Sequence, residues 1–186
     1  MEGKAILASG LIAAAVFGIF FFLFASGHIF GMVFIAPVYF TNFLLAYLYS
    51  KSKRYRKYVI SKKIFGSHRN YSGVATVLVC LPGFYAIMYA TLGGGVYQGA
   101  ITGLVMAIGM VGGILGSSAL KRRIGLKPGQ DMLFVDQLDI IIGTGISYFV
   151  FFGQAYPDFP IVLAVTFILH PLGNIFLYHA GVKKDI

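Results

Sequence analysis

The sequence predicts an all-α protein, a polytopic transmembrane helix bundle of five helices, or six if its first apolar stretch folds back on itself. Three observations carry that reading. Of 186 residues, 58% are hydrophobic and only 11% charged, where a soluble domain carries roughly a quarter charged residues. Uncharged stretches recur from Ala5 onward, each close to the roughly 20 residues a helix needs to cross a bilayer. The formal charge of +9 is concentrated, because every cation except Lys4 lies in Lys51 to Arg69, in Lys121 to Lys127, or in the pair Lys183 and Lys184. The positive-inside rule places these on the cytoplasmic face of a cell membrane. All of residues 1–186 read as one integral membrane domain, with cytoplasmic loops at about 50–71 and 120–137.

Taken in order, Ala5 to Tyr49 is too long for one straight span at 1.5 Å per residue. Ser26-Gly27-His28 is a hairpin candidate and gives six helices, whereas one long helix broken near Gly27 or Pro37 gives five. Lys4 mildly favours six, with the N-terminus inside. Lys4 ahead of an apolar run imitates a secretory signal, yet no small-x-small cleavage site leads into a soluble domain, so an anchor is expected. Apolar runs from Gly73 to Leu92 and from Val96 to Leu120 flank Gly93-Gly94-Gly95, two helices out and back. Runs from Leu138 to Ala155 and from Pro160 to Ala180 flank Tyr156-Pro157-Asp158, and Asp158 alone charges that outer turn. Among the 24 glycines, the spacings Gly95-Gly99-Gly103 and Gly109-Gly113 invite close helix contact. No heptad or internal repeat is evident, which speaks against an inverted-repeat transporter. Cys80, the single cysteine, excludes a disulfide framework and a Cys-based metal site and reads as a small core residue. His28, His68, His170 and His179 are scattered singles that form no metal-binding cluster, and His68 reads as a surface residue.

The segment that carries chemistry runs from Ser118 through Lys121-Arg122-Arg123, Gly125, Lys127 and Gly129 to Asp131 and then Asp136-Gln137-Leu138-Asp139. Three of the six carboxylates lie here beside four cations. Asp136 and Asp139, at i and i+3, fall on one face of a helical turn, where they can hold one hard cation; Mg²⁺ is the natural candidate. Asp139 adjoins Ile140-Ile141-Ile142, at the membrane edge, where an ionisable group is costly without a partner or a function. Helix capping by Asp136 or Asp139 is the plainer alternative, and Asp131 reads as a solvated loop residue. Lys121, Arg122 and Arg123 would serve equally as snorkelling anchors. That account leaves the carboxylates unexplained, whereas phosphoryl or nucleotidyl transfer uses acids to hold metal and cations to neutralise phosphate. In the first basic region, attraction to anionic lipid explains much of the charge. Arg69 and Asn70 stand apart there, in a turn-like setting suited to phosphate or base contacts.

With these residues laid out, the chain resembles the CDP-archaeol synthase family of the CTP:phosphatidate cytidylyltransferase superfamily. The resemblance is specific at Ser118-x-x-Lys121-Arg122-Arg123-x-Gly125-x-Lys127-x-Gly129 followed by Asp136-Gln137-Leu138-Asp139, and it extends to Gly143. Looser matches are Pro37-Val38-Tyr39-Phe40-Thr41-Asn42 and Phe65 to Gly73. The family's usual Lys-Thr-Trp-Arg becomes Arg69-Asn70-Tyr71-Ser72, and Ile114 stands where many relatives carry an aspartate. Asp136 and Asp139 therefore bear the metal assignment nearly alone.

The resemblance implies five transmembrane helices. It also implies a reaction in which CTP and an isoprenoid ether lipid phosphate, unsaturated archaetidic acid, give CDP-archaeol and pyrophosphate. An ionised lipid phosphate is its own nucleophile, so no activated Ser, Cys or His is needed. On this footing Asp136, Asp139 and Lys121 are the expected catalytic residues, with Mg²⁺ on the two aspartates. Arg69, Asn70, Ser118, Arg122, Arg123 and Lys127 are expected to bind substrate phosphates or nucleotide, and Pro37 and Asn42 to shape the lipid entrance. The lipid's two chains would lie in grooves between helices. Nucleic acid is not among the expected partners, and the pattern gives no oligomeric state.

Two rivals bear on the same residues. A CDP-alcohol phosphotransferase needs four spaced aspartates on a longer helix motif, and only three acids stand here at the wrong spacing. A small transporter or channel for an anionic solute also accounts for inner cations, but predicts flux without pyrophosphate release.

Overall fold

An apolar chain in lipid must satisfy its own backbone polar groups, and helices do so within one segment. The computed structural model describes residues 18–19, 21–127, 130, 132 and 135–179, leaving the side chains of residues 137, 169–174 and 176–179 outside that description. Five complete helices follow one another: α1 (Ile29–Lys51), α2 (Tyr71–Thr91), α3 (Val96–Arg123), α4 (Val135–Phe152) and α5 (Phe159–His179). The first three are long and apolar enough to cross a membrane, and Leu138–Phe152 and Phe159–Ile168 form shorter apolar helices.

A further helical segment precedes α1 at residues 18–19 and 21–25. It ends where Gly27 takes a φ of 78°, a left-handed turn that glycine adopts at little cost. His28 N–H then donates to the Leu23 carbonyl at 2.8 Å. Leaving this turn, both neighbours run alongside α5. Gly18, Ile19, Phe22 and Leu23 share a cavity with residues from Pro160 to Ile168, while Tyr39 on α1 hydrogen-bonds Thr166. Of the two readings, five helices or six, the described residues follow the second, with a hairpin turn at Gly27. Its physical reason is Asp158, which accepts from Gly31 N at 3.2 Å and pairs with His28 Nδ1 at 3.0 Å, pinning the hairpin to the loop before α5. Lys4, Lys183 and Lys184, and with them the expected side of the N-terminus, lie outside the described residues.

The helices pack backbone to backbone where glycine permits it. A Cβ on Gly103 would come within 2.6 Å of the Leu81 carbonyl on α2, and one on Gly113 within 2.1 Å of the Asp139 carbonyl on α4. Opposite Gly113, a Cβ on Gly143 would lie 2.3 Å from the Gly109 carbonyl. Above this seam Ser147 Oγ donates to the Val105 carbonyl at 2.9 Å. The aromatic core sits toward the other end of the bundle, where Phe34 meets Tyr85, Tyr148 and Tyr156 at centroid distances of 5.5 to 5.8 Å. The Tyr85 hydroxyl is spent on the Phe34 carbonyl, at 2.8 Å.

Two boundaries differ from the sequence reading in a way that matters. α3 does not stop with its apolar run at Leu120 but continues through Lys121, Arg122 and Arg123, and α4 starts at Val135 and so includes Asp136. Cations in a last turn and an acid in a first turn both suit the helix dipole. The polar residues expected in a loop at 120–137 thus stand largely on helix ends.

Candidate active site

Because α3 and α4 touch at Gly109, Gly113 and Gly143, the residues one and two turns further along face each other at fixed register. Ser117 Oγ donates to Asp139 Oδ2 at 2.6 Å, and Lys121 Nζ pairs with Asp136 Oδ1 at 2.7 Å. Ser117 and Lys121 are four residues apart on α3 and their partners three apart on α4, so two matched pairs form a ladder. Lys121 is 8% exposed, and a charge so buried is costly unless paired. The other carboxylate oxygens are also engaged: Asp136 Oδ2 accepts from Met132 N and Asp139 Oδ1 from Ile140 N, both at 2.7 Å.

The turn after α3 folds for a local reason. Gly125 has a φ of 82°, Gly125 N–H donates to the Arg122 carbonyl and Leu126 N–H to the Lys121 carbonyl. This is a Schellman closure, and it gives the glycine of the Lys-Arg-Arg-x-Gly pattern a backbone role. Arg122 donates back to the Leu126 carbonyl, leaving its buried Nε without a partner among the described residues. Arg123 is exposed at the helix end, and Lys127 is exposed with its backbone N–H on Gln130 Oε1. Asp131, Pro128 and Gly129 lie outside the described residues.

The third wall is the segment between α1 and α2. Val59 and Asn70 form an antiparallel bridge, with Ile60 N–H on the Arg69 carbonyl at 3.0 Å. Held this way, Arg69 reaches across to α3, and its Nε donates to Ser118 Oγ at 2.7 Å. Ser118 passes its own proton to the Ile114 carbonyl at 2.8 Å. Burial lowers the Arg69 guanidinium from its usual value, while the negative charges of Asp139 and Asp136 work to keep it protonated. The loop arginine, the α3 cations and the α4 acids thus form one electrostatic unit.

Not every expected residue joins it in the expected way. Asn70 is buried and caps α2, its Oδ1 accepting from Gly73 N at 2.7 Å, so its carboxamide positions Arg69 through the backbone. Asn42 is half-buried on α1, and its carboxamide bonds no other described residue. Ser118 orients Arg69. Ser117, which is not among the residues expected to bind substrate, is the direct partner of Asp139. The signal that could have found it was its spacing of four from Lys121, matched to the aspartates' spacing of three.

From Asp139 and Ser117 an apolar groove of about 780 Å³ runs along the outer side of the α3–α4 seam to Val105 and Phe151. Asp139 and Phe151 are twelve residues apart on one helix, or about 18 Å at 1.5 Å per residue. Gly112 and Gly116 border it, and a Cβ on either would meet nothing within 4 Å.

Two carboxylates a turn apart with a hydroxyl beside them are hard oxygen donors. Mg²⁺ is held by one or two carboxylates and completed by water and substrate phosphates, so this donor set fits it. Among the described residues no group of three or more His, Cys, Asp or Glu side chains gathers, and the protein would supply only part of the shell.

Residues 29–186 match the family described as CarS-like, CDP-archaeol synthase. A CDP-archaeol synthase of Methanopyrus kandleri is 31% identical over 160 residues, 83% of this chain and 90% of the relative. One of Methanosarcina barkeri is 31% identical over 150 residues, 70% of this chain and 86% of the relative. One of Methanoculleus marisnigri is 29% identical over 140 residues, 69% and 84%. No solved structure matches the chain.

Proposed function

The chain belongs to the CDP-archaeol synthase family, and from that premise we propose that it transfers the cytidylyl group of CTP to 2,3-bis-O-(geranylgeranyl)glycerol 1-phosphate. The products are CDP-archaeol and pyrophosphate, in archaeal ether phospholipid biosynthesis. It is a membrane protein and a CTP-dependent nucleotidyltransferase. What most supports the finer reading is one juxtaposition: Ser117 and Asp139 stand at one end of an apolar groove along α3 and α4, next to the Lys121–Asp136 pair and to Arg69 on Ser118.

The lipid phosphate provides a nucleophilic oxygen that is already ionised near neutral pH. It attacks the α-phosphorus of CTP, the bond from that phosphorus to the α–β bridging oxygen breaks, and pyrophosphate leaves with the electron pair. No proton needs to be removed, so this chain's contribution is positioning and charge neutralisation. Asp136 and Asp139 would hold Mg²⁺, which supplies charge neutralisation on the triphosphate oxygens. Lys121 and Arg69, both largely removed from water, lie where charge on the transferring phosphate is countered most effectively. Arg122, whose buried Nε has no partner among the described residues, contributes a further donor, and the exposed Arg123 and Lys127 draw the polyanion in. Ser118 holds Arg69 by one nitrogen and leaves its other two for phosphate. Pro37 is buried in α1 and neither it nor Asn42 lines this groove, so their expected part in the lipid entrance has no counterpart along it; the chains stay in the bilayer while the headgroup reaches the basic end, which faces the cytoplasm of the cell membrane.

The test uses protein purified in detergent with Mg²⁺, the dialkyl glycerol phosphate, and CTP labelled in either the α- or the γ-phosphate. Label from the α position should enter the lipid with one pyrophosphate formed per lipid. Label from the γ position in lipid, or flux of an anion across vesicles without pyrophosphate, would contradict the proposal.

A further inference from the structure

His68 lies on the rim of the site, next to Arg69, and has no part in the mechanism above. Its Nδ1 is 2.8 Å from the Tyr49 hydroxyl at the end of α1, the two rings lying 5.7 Å apart. On the Tyr49 ring rests the Arg56 guanidinium, 5.8 Å from the centroid. The groups that act on His68 are Tyr49 from α1, Arg56 through Tyr49, Arg69 beside it in the chain, and, through their charge, Lys121 and Arg122 from α3. Among the described residues no carboxylate joins these neighbours, and the ring's second nitrogen bonds no other described residue.

We infer that His68 is a further binding residue for the triphosphate, an imidazole that takes up a proton from solvent as the polyanion arrives and returns it when pyrophosphate leaves. The inference rests on the nucleotide reading given above. Tyr49 is suited to the change, because a hydroxyl can donate to a neutral Nδ1 or accept from a protonated one. The bond that positions the ring therefore survives protonation, and the second nitrogen becomes an N–H donor. His68 is exposed at this rim, and in the free protein its partial loss of water, followed by the positive charges of Arg69, Arg122 and Lys121, lowers it from its ordinary value. A bound triphosphate answers those same cations and removes the repulsion, so the ring regains affinity for a proton. The direction follows by linkage: the added affinity for CTP is present below the bound-state value and is lost as pH rises through it.

Titration calorimetry of the detergent-solubilised full chain with CTP and Mg²⁺, in two buffers of different ionisation enthalpy at one pH, reads the uptake directly. Wild type should take up measurably more proton per CTP bound than H68Q at a pH near the ordinary histidine value. In H68Q that uptake should vanish apart from CTP's own contribution, and CTP should bind roughly fivefold more weakly at low pH but almost unchanged at pH above about 8. Y49F, which keeps the ring and loses the oxygen, should show a reduced uptake. Equal buffer dependence in wild type and H68Q overturns the inference and leaves the nucleotide reading intact. Absence of any CTP binding by wild type overturns both.

Discussion

Ser117 and Ser118 are adjacent hydroxyls with different work. Ser117 donates to Asp139 and Ser118 accepts from Arg69, so their loss should be told apart by kinetics. S117A leaves Asp139 without its side-chain donor and should lower kcat about tenfold with a weaker response to Mg²⁺. S118A frees the Arg69 guanidinium and should instead raise the KM for CTP by a similar roughly tenfold factor. A steady-state titration of CTP and of Mg²⁺ separates the two. The residue types were legible in sequence, since Asp139 beside three isoleucines and a lysine-arginine run beside an apolar helix are both costly unless used. Their pairing was not, because Lys121 meets Asp136 only after the chain turns back between α3 and α4. Asn70 shows the same limit from the other side, its turn-like neighbourhood marking a helix cap as much as a ligand.

At the scale of helices, the α3–α4 seam determines where the ladder lies. G113A puts a methyl group against the Asp139 carbonyl, where a Cβ would be 2.1 Å away. Overpacking of this kind costs about 1–3 kcal/mol, and the helices must part to relieve it. The expected outcome is a lower melting temperature in detergent together with loss of most activity. G116L is the contrasting change, because Gly116 opens onto the groove with nothing within 4 Å. It should leave melting and CTP binding near wild type while raising the KM for the lipid several-fold, roughly in line with one or two obstructed methylenes. The spacing Gly109-Gly113 announced close packing, but which helix would meet it depends on tertiary contacts. The ends of α3 and α4 were misplaced because apolarity ends at Leu120 while backbone hydrogen bonding continues for another turn.

Over the whole molecule, the basic ends of α1 and α3 lie together and the turns at Gly93 and Asp158 lie at the far end. In a Cys80→Ser background, Lys57→Cys should react with a membrane-impermeant thiol reagent only after cells are opened, and Gly94→Cys in intact cells. The reverse pattern would invert the orientation. Charge distribution made this polarity legible early, whereas the hairpin at Gly27 was one of two readings until Asp158 was seen to hold it. On the proposed function, the central claim is that Asp136 and Asp139 together would anchor the divalent ion that serves the CTP triphosphate. Its most direct measurement is the rate of cytidylyl transfer to lipid by D136N and D139N, alone and with increasing Mg²⁺, on protein shown by melting to remain folded. Each variant should lose at least about a hundredfold in rate, with higher Mg²⁺ restoring part of it. Either variant transferring cytidylate at the wild-type rate and Mg²⁺ dependence would contradict the account.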